Sequence, residues 1–124
     1  AENEGWKVKV VDQDLKSAEK AIDYYEDVAS AEQFDATNEF QMELFVREAD
    51  YVISMLPAHM HVPVAKACLK HCKHLLTASY ISDEMRELSD DAKSSGVIFL
   101  NEMGVDPGID HMSAMKVIHD IKEE

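Results

Sequence analysis

Apolar and polar residues follow two spacings along the chain, and these predict where strands and helices lie. Residues 7–11 alternate between the two classes, which indicates a half-buried strand. Short apolar runs predict further strands at 31–34, 51–56, 74–78 and 97–100. The run at 51–56 is almost continuously apolar, which is typical of a strand covered on both faces.

Between these strands, residues recur at helical spacing. Asp14, Asn38 and Ser82 stand where helix N-caps are expected. The helix after Asp14 should end in the region 25–29, and the helix after Ser82 should run unbroken to Gly96. Two more helices are marked by residues at this spacing: Val64, Ala67, Cys68 and His71 in one, and Met112, Met115, Ile118 and Ile121 in the other. We expect the apolar stripe of the last helix to be core.

Strands and helices thus alternate with short connections, which predicts an α/β fold with parallel strands joined by right-handed crossovers. The order fits a Rossmann-like doubly wound, mostly parallel sheet. In such a sheet a glycine-rich turn after the first strand holds a dinucleotide pyrophosphate, but this chain has only 4 glycines and no G-x-G-x-x-G. We therefore expect the first visible strand to be the second of the fold. Lack of the first strand would leave unpaired strand edges.

Composition and charge exclude several classes of partner. The 124 residues include 25 acidic and 12 basic side chains, and the formal net charge of −13 would repel a nucleic-acid backbone. No apolar stretch approaches the ~20 residues of a membrane span, and the N-terminus lacks the pattern of a signal peptide. We expect a cytoplasmic protein without a membrane partner. Cys68 and Cys72 lie in one helical pattern, where free thiols are expected.

Ligands of a doubly wound sheet bind beyond the carboxyl ends of its strands, so the residues that follow each strand are the candidate site. Asp12 ends the first visible strand, where a carboxylate commonly accepts hydrogen bonds from the adenosine ribose and repels a 2′-phosphate. This position favours NAD over NADP. Asp35 follows the next strand and is a second cofactor candidate. The alternative is that Asp12 or Asp14 caps the following helix, and we expect Asp14 to be the cap.

The segment Asp106-Pro107-Gly108 predicts a rigid turn, because proline fixes φ and glycine can adopt positive φ. We expect the turn to leave exposed amides at the start of the last helix, where a carboxylate or carboxamide could be held. The alternative is a helix-entry turn that is capped by Asp110 and binds no ligand.

Ser79 and Tyr80 follow another predicted strand, and both have polar tips suited to orienting a carboxylate. The alternative is that Tyr80 packs its ring and hydrogen-bonds locally. Histidines and cysteines cluster between residues 59 and 74, but no second spaced pair of the zinc type follows, so we expect no metal site.

Three segments carry a resemblance to a known family. They are Ser54-Met55-Leu56-Pro57-Ala58-His59, Thr77-Ala78-Ser79-Tyr80-Ile81-Ser82 and the run NEMGVDPGIDHM at residues 101–112. In order and spacing these segments resemble the family of saccharopine dehydrogenase (glutamate-forming) and saccharopine reductase. The similarity covers essentially the whole chain and is more specific in its second half.

The resemblance implies a nicotinamide-dependent oxidoreductase of lysine metabolism that interconverts saccharopine with glutamate and 2-aminoadipate 6-semialdehyde, using NAD or NADP. It implies substrate contacts for Ser79, Tyr80 and Asp106, and Asp106 is also a candidate general base. It further implies cofactor contacts for Leu56, Pro57, Val105, Gly108, Ile109 and Asp110.

Residues 1–124 would then form part of an NAD(P)-binding domain whose C-terminal substrate domain is absent, and we expect this piece alone to be inactive. A homodimer could form through the absent C-terminal domain. Two other functions stay open. One is a non-catalytic Rossmann-like interaction module, which the missing glycine turn favours. The other is a related carboxyspermidine-type dehydrogenase, because substrate selection would lie largely in the absent domain.

Overall fold

The computed structural model describes residues 4–123, with side chains as far as residue 122. Five strands and six α-helices alternate along this part of the chain, which confirms the predicted α/β fold. They form two compact units, one reaching to Glu43 and the other beginning at Leu44. Each unit has its own sheet, and all strand pairs are parallel.

The first unit is a β-α-β arrangement. Strand β1 (Val8–Asp12) leads into helix α1 (Leu15–Ile22), and β2 (Ala29–Gln33) then pairs with β1. Helix α2 (Glu39–Glu48) begins in this unit. Ala18 of α1 is buried, because its small side chain lets the helix lie close to the two strands.

Both predicted caps in this unit are confirmed. Asp14 accepts a hydrogen bond from an amide in the first turn of α1, and Asn38 does the same for α2. Helix α1 ends at Ile22, earlier than predicted. Residues 23–27 are all exposed, so a further turn would have buried nothing, and the carbonyl of Tyr25 instead closes a turn into β2.

The second unit contains a three-stranded sheet in the order β3-β4-β5. Its elements are β3 (Tyr51–Ser54), a short 3-10 helix (Ala58–Met60), α3 (His61–Lys70), β4 (His74–Thr77), α4 (Asp83–Glu87), α5 (Ser89–Ser94), β5 (Phe99–Leu100) and α6 (Ile109–Glu123). Helix α3 supplies much of the core through Val64, Ala65 and Cys68, and the central strand supplies Leu75. The sheet therefore depends on α3 for cover on one face.

The helix that was expected to run unbroken from Ser82 to Gly96 is in fact two helices, with a break at Leu88. Ser82 caps α4 as predicted. The residues after the break are Ser89, Asp90 and Asp91, which favour the start of a helix over its interior. They therefore begin α5.

Strand β5 is shorter than the predicted run 97–100. The amide of Val97 donates to the carbonyl of Ala92, and the amide of Ile98 donates to the ring of His74. Neither amide joins a regular ladder, so the strand comprises Phe99–Leu100 alone.

Two predictions of burial are wrong for the described residues. Strand β3 is covered on one face only: Ser54 is buried, whereas Tyr51 and Ile53 are 68% and 65% exposed. The stripe on α6 is not core, because every α6 side chain that the structure describes is exposed, Met112 and Ile121 among them. Spacing alone marked an apolar face without showing what covers it.

The expected unpaired edges are present. Within residues 4–123, β1 pairs with β2 alone and β3 pairs with β4 alone. Each strand therefore offers a free edge. No helix among the described residues has the length and apolar character needed to cross a bilayer.

Leu75→Ala tests the core of the second unit. Leu75 is 1% exposed, and its truncation should lower the free energy of unfolding by about 2–5 kcal/mol because the cavity cannot fully collapse. The matched control is Leu100→Ala on the neighbouring strand, where the leucine is 43% exposed and the loss should stay below about 1 kcal/mol. Urea denaturation measures both, and equal losses would contradict this core.

Candidate functional site

The loops that follow β4 and β5 lie side by side at the carboxyl end of the second sheet. The amide of Met103 donates to the carbonyl of Thr77 at 3.0 Å, and the amide of Glu102 donates to the carbonyl of Ser79 at 3.1 Å. These bonds lie outside the parallel ladder and hold the two loops against each other. The predicted substrate residues after β4 therefore lie beside the segment that leads to Asp106.

Tyr80 and Asp106 are in direct contact. The Tyr80 hydroxyl donates to Oδ1 of Asp106 at 2.5 Å, although the two residues are 26 positions apart. This hydrogen bond raises the pKa of the Tyr80 phenol, with smaller contributions from burial and from the negative charges of Asp106, Asp110 and Glu102. The phenol therefore keeps its proton and presents it to Asp106.

A second polar contact joins three elements through a buried histidine. Nδ1 of His61 lies 2.9 Å from the Ser54 hydroxyl, and Nε2 lies 2.9 Å from the Ser79 hydroxyl. His61 is 4% exposed, and burial lowers its pKa, so the ring is neutral near pH 7. The ends of β3 and β4 are thus tied to the start of α3.

In the sequence, His61 stood among the residues that follow the strand at 51–56 and in the metal site that was rejected, and its contact with Ser79 was missed. The signal was present in the sequence. His61, Val64, Ala65 and Cys68 fall at helical spacing on one face of α3, and all are buried. A histidine on such a face needs polar partners, and serines at the neighbouring strand ends can supply them.

In the turn at residues 104–108, the backbone at the end of the turn lies against the backbone at its start. Gly108 has φ +142°, which confirms the predicted positive φ, and a Cβ there would collide with the backbone oxygens of Gly104 and Glu102. The Gly104 amide donates to the carbonyl of Pro107, which follows a cis peptide bond. Glycine is therefore required at position 108 for close backbone approach.

The prediction of exposed amides at the start of α6 is wrong. The Gly108 amide donates to the Asp110 carboxylate at 2.9 Å, and the amides of Ile109 and Asp110 donate to the carbonyls of Gly104 and Val105. Because these amides donate within the turn, a ligand at this segment would be bound by side chains and not by these amides.

Asp110 lies inside the first turn of α6 and reaches back to the Gly108 amide, so it acts in the manner of a cap without occupying the N-cap position. Burial pushes its pKa up, but hydrogen bonds from the amides of His111 and Gly108 and the nearby His111 ring outweigh this effect, and the net pKa is lowered. Asp110 is held as an anion by its own surroundings.

Comparison with known proteins gives the family. Residues 1–100 match the family model described as the saccharopine dehydrogenase NADP binding domain. The chain belongs to the saccharopine dehydrogenase family. The sequence resemblance is thereby confirmed for four-fifths of the chain.

Two relatives with different names show how much of a longer protein the chain matches. The chain is 46% identical over 106 residues to alpha-aminoadipic semialdehyde synthase of Arabidopsis thaliana, covering 86% of this chain and 10% of that protein. It is 45% identical over 87 residues to the NADP(+), L-glutamate-forming saccharopine dehydrogenase of Schizosaccharomyces pombe, covering 70% of this chain and 19% of that enzyme. The chain therefore spans a small part of the relatives it matches.

A solved structure agrees in fold. Apo saccharopine dehydrogenase (L-Glu forming) from Saccharomyces cerevisiae superimposes with a TM-score of 0.80 at 31% identity, covering 94% of this chain and 26% of that chain. The α/β chain with its parallel sheets is thus Rossmann-like, as the sequence predicted. The matched family model describes an NADP-binding domain, which supports binding of NAD(P) but does not support the predicted preference for NAD.

In the first unit, the two candidate acids Asp12 and Asp35 also stabilise turns. Asp12 accepts a hydrogen bond from the Asp14 amide at 2.8 Å, while Asp14 caps α1 as predicted. Asp35 accepts hydrogen bonds from the hydroxyl and the amide of Thr37, which lower its pKa. Asp12 is the last residue of β1 and Asp35 lies two residues beyond β2, and the contacts of both acids with a cofactor stay predictions.

The remaining candidates are surface residues. Val105 and Ile109 are 72% and 59% exposed, Pro57 is exposed and Leu56 is half-buried. Their cofactor roles stay predictions as well.

The cysteine prediction is confirmed, because both thiols are free. Burial raises the pKa of Cys68 to about 12. Within residues 4–123, no group of three or more histidine, cysteine or acidic side chains is arranged to hold a metal ion.

Gly108→Ala tests the closed turn. The added methyl group meets backbone in a region of φ reserved for glycine, so the free energy of unfolding should fall by about 2 kcal/mol or more. The control is Gly96→Ala, which also has positive φ but open space around the Cβ position, and should cost about 1 kcal/mol. Denaturation of the two variants by urea gives the comparison. Equal costs would mean that the turn is looser than described.

Asp106→Asn tests the pair with Tyr80. Loss of the charged acceptor should lower the Tyr80 pKa towards its ordinary value. Absorbance of tyrosinate is followed against pH, and Tyr80→Phe identifies the contribution of Tyr80 among 4 tyrosines. The control is Asp90→Asn, which removes an exposed acid of α5 and should leave the curve unchanged. A curve unaltered by Asp106→Asn would exclude the contact.

Proposed function

We propose that this chain is part of an oxidoreductase of lysine metabolism in which a hydride passes between nicotinamide C4 of NADP and the carbon that bears the secondary amine of saccharopine. The observation that carries the proposal is the Tyr80–Asp106 hydrogen bond beside Ser79 at the carboxyl end of the sheet. Ligands of doubly wound folds bind at this end. The family match and the names of the relatives support the same reaction class.

The residues present fit one end of the cofactor. Val105 and Ile109 are exposed apolar side chains at this end of the sheet and suit the face of an aromatic ring. The pyrophosphate requires a glycine-rich turn, which the 4 glycines of this chain do not form. We infer that a longer protein supplies that turn with its strand, and also a substrate domain. A bound nicotinamide supplies the hydride acceptor.

Asp106 is suited to take the amine proton. Oxidation removes a hydride from the carbon and a proton from the nitrogen, which leaves an imine that water then cleaves. Tyr80 donates to Oδ1 of Asp106, so Oδ2 is left to accept the proton of the amine. The phenol thereby orients the carboxylate.

The proposal names NADP although Asp12 favoured NAD in the sequence. The family model and the S. pombe enzyme carry NADP in their names. One Asp12 oxygen also accepts the Asp14 amide, which gives this carboxylate a structural role of its own.

The test uses the full-length protein that contains this chain, with absorbance reporting saccharopine-dependent reduction of NADP. Asp106→Asn should lower kcat/KM about 100-fold or more, because a positioned base contributes on that order. The dissociation constant for NADP should stay unchanged. Asp90→Asn is the control for loss of one acidic group. A wild-type rate in Asp106→Asn would exclude the role of Asp106 as base.

Titration with each nucleotide separates the alternatives. Tighter binding of NADP than of NAD supports the cofactor assignment, and the reverse overturns it. If the full-length protein binds neither nucleotide, the function is that of an interaction module, which the exposed apolar side chains of α6 would favour. Reduction of NADP by a carboxyspermidine-type amine but not by saccharopine would move the chain to that related activity.

A further inference from the structure

The buried contacts of His61 determine whether the Ser79 hydroxyl donates a hydrogen bond to the ring or accepts one from it. A neutral imidazole has one nitrogen that donates and one that accepts. Because both nitrogens of His61 face serine hydroxyls, the ring can adopt two arrangements. They differ in whether Ser79 donates its proton to the ring or keeps it for another partner.

Burial of Ser54 decides between the two arrangements. Ser54 is 4% exposed, and the partner of its hydroxyl among the described residues is Nδ1 of His61. If Nδ1 carried the proton, the Ser54 hydroxyl would accept a hydrogen bond and its own proton would be buried without an acceptor. An unmet buried donor costs more than the bond contributes. Ser54 therefore donates to Nδ1, and the ring proton lies on Nε2.

The consequence reaches Ser79. With its proton on Nε2, His61 donates to the Ser79 oxygen and leaves the Ser79 proton unused. Ser79 is half-buried at the end of β4, so that proton can reach a bound molecule. The backbone of Ser79 is held as well, because its carbonyl accepts the Glu102 amide.

We propose that His61 is a positioning residue that makes Ser79 a hydrogen-bond donor for an anionic oxygen of the substrate. The substrate class is an amino acid with a carboxylate at this position, which rests on the proposed function. His61 itself touches neither substrate nor cofactor. It orients the Ser79 proton, so that a ligand group that accepts a hydrogen bond binds at Ser79 in preference to a group that donates one.

The first test reads the histidine directly. Long-range proton–nitrogen NMR of the 124-residue chain labelled at histidine nitrogen reports which ring nitrogen is protonated. His61→Gln identifies the His61 signals among 6 histidines. We expect a proton on Nε2 and a bare Nδ1. A proton on Nδ1 would overturn the proposal, whatever reaction the protein catalyses.

The second test compares two amides in the full-length enzyme. The amide nitrogen of His61→Gln can reach the position of Nε2 and donate to Ser79, whereas the shorter His61→Asn reaches only the position of Nδ1. His61→Asn should raise KM for saccharopine about 10-fold with kcat and the dissociation constant for NADP near wild type, since a hydrogen bond to a charged group is lost. His61→Gln should recover most of that loss.

A double mutant separates positioning from a general effect on folding. Ser79→Ala should raise KM as His61→Asn does, and the variant with both changes should be no worse than Ser79→Ala alone, because the histidine acts through the serine. His119→Asn, which changes an exposed histidine of α6, is the control and should behave as wild type. Additive losses, or equal losses in the asparagine and glutamine variants, would overturn the role of His61. A wild-type enzyme that does not oxidise saccharopine would overturn the proposed function, while the NMR result still decides the tautomer.

Discussion

The candidate site depends on the hydrogen bonds that join the end of β4 and the loop after it to the segment that follows β5. The carbonyls of Thr77 and Ser79 accept hydrogen bonds from amides of the segment after β5, so two loops that are distant in sequence lie side by side. Leu75 anchors the same strand in the core. Because parallel strands end at the same edge of a sheet, the side chains of both loops are already close together before they contact one another. The Tyr80–Asp106 bond is a consequence of this pairing.

The turn before α6 shows how a helix N-terminus can lose its usual role. Amides at such a terminus are available to an anion when no residue of the chain uses them. Here the carboxylate of Asp110 and the carbonyls of Gly104 and Val105 take the donors of Gly108, Ile109 and Asp110. Recognition at this turn must therefore come from side chains, and the glycine serves backbone packing.

The sequence predicted the features that depend on neighbours along the chain. The caps at Asp14 and Ser82 and the positive φ of Gly108 are local, and they were confirmed. The features that depend on distant residues were not accessible in this way. No spacing rule joins Tyr80 to Asp106. The exposure of α6 was missed because an apolar stripe shows which face can be buried, and the covering element must be known separately.

His61 lies between these two cases. Its burial could be read from helical spacing, and the need for polar partners follows from burial. Which partners it finds is set by the ends of β3 and β4, and the sequence placed those ends within two residues of Ser54 and Ser79. Combining the two kinds of information would have predicted the contact. Neither kind was sufficient alone.

The charges around the site also determine how an amino-acid substrate would have to lie. The hydrogen bond to Asp106 raises the Tyr80 pKa most, and the negative charges of Asp106, Asp110 and Glu102 add to the shift. The same charges attract a cationic amine and repel a carboxylate. A carboxylate can be accepted here only where a donor offsets that repulsion. Ser79 is one residue from Tyr80 and has a proton to give when His61 holds its oxygen. The amine of a substrate would therefore lie near the acids and its carboxylate near the serine. The buried imidazole of His61 would set this orientation without contacting the substrate.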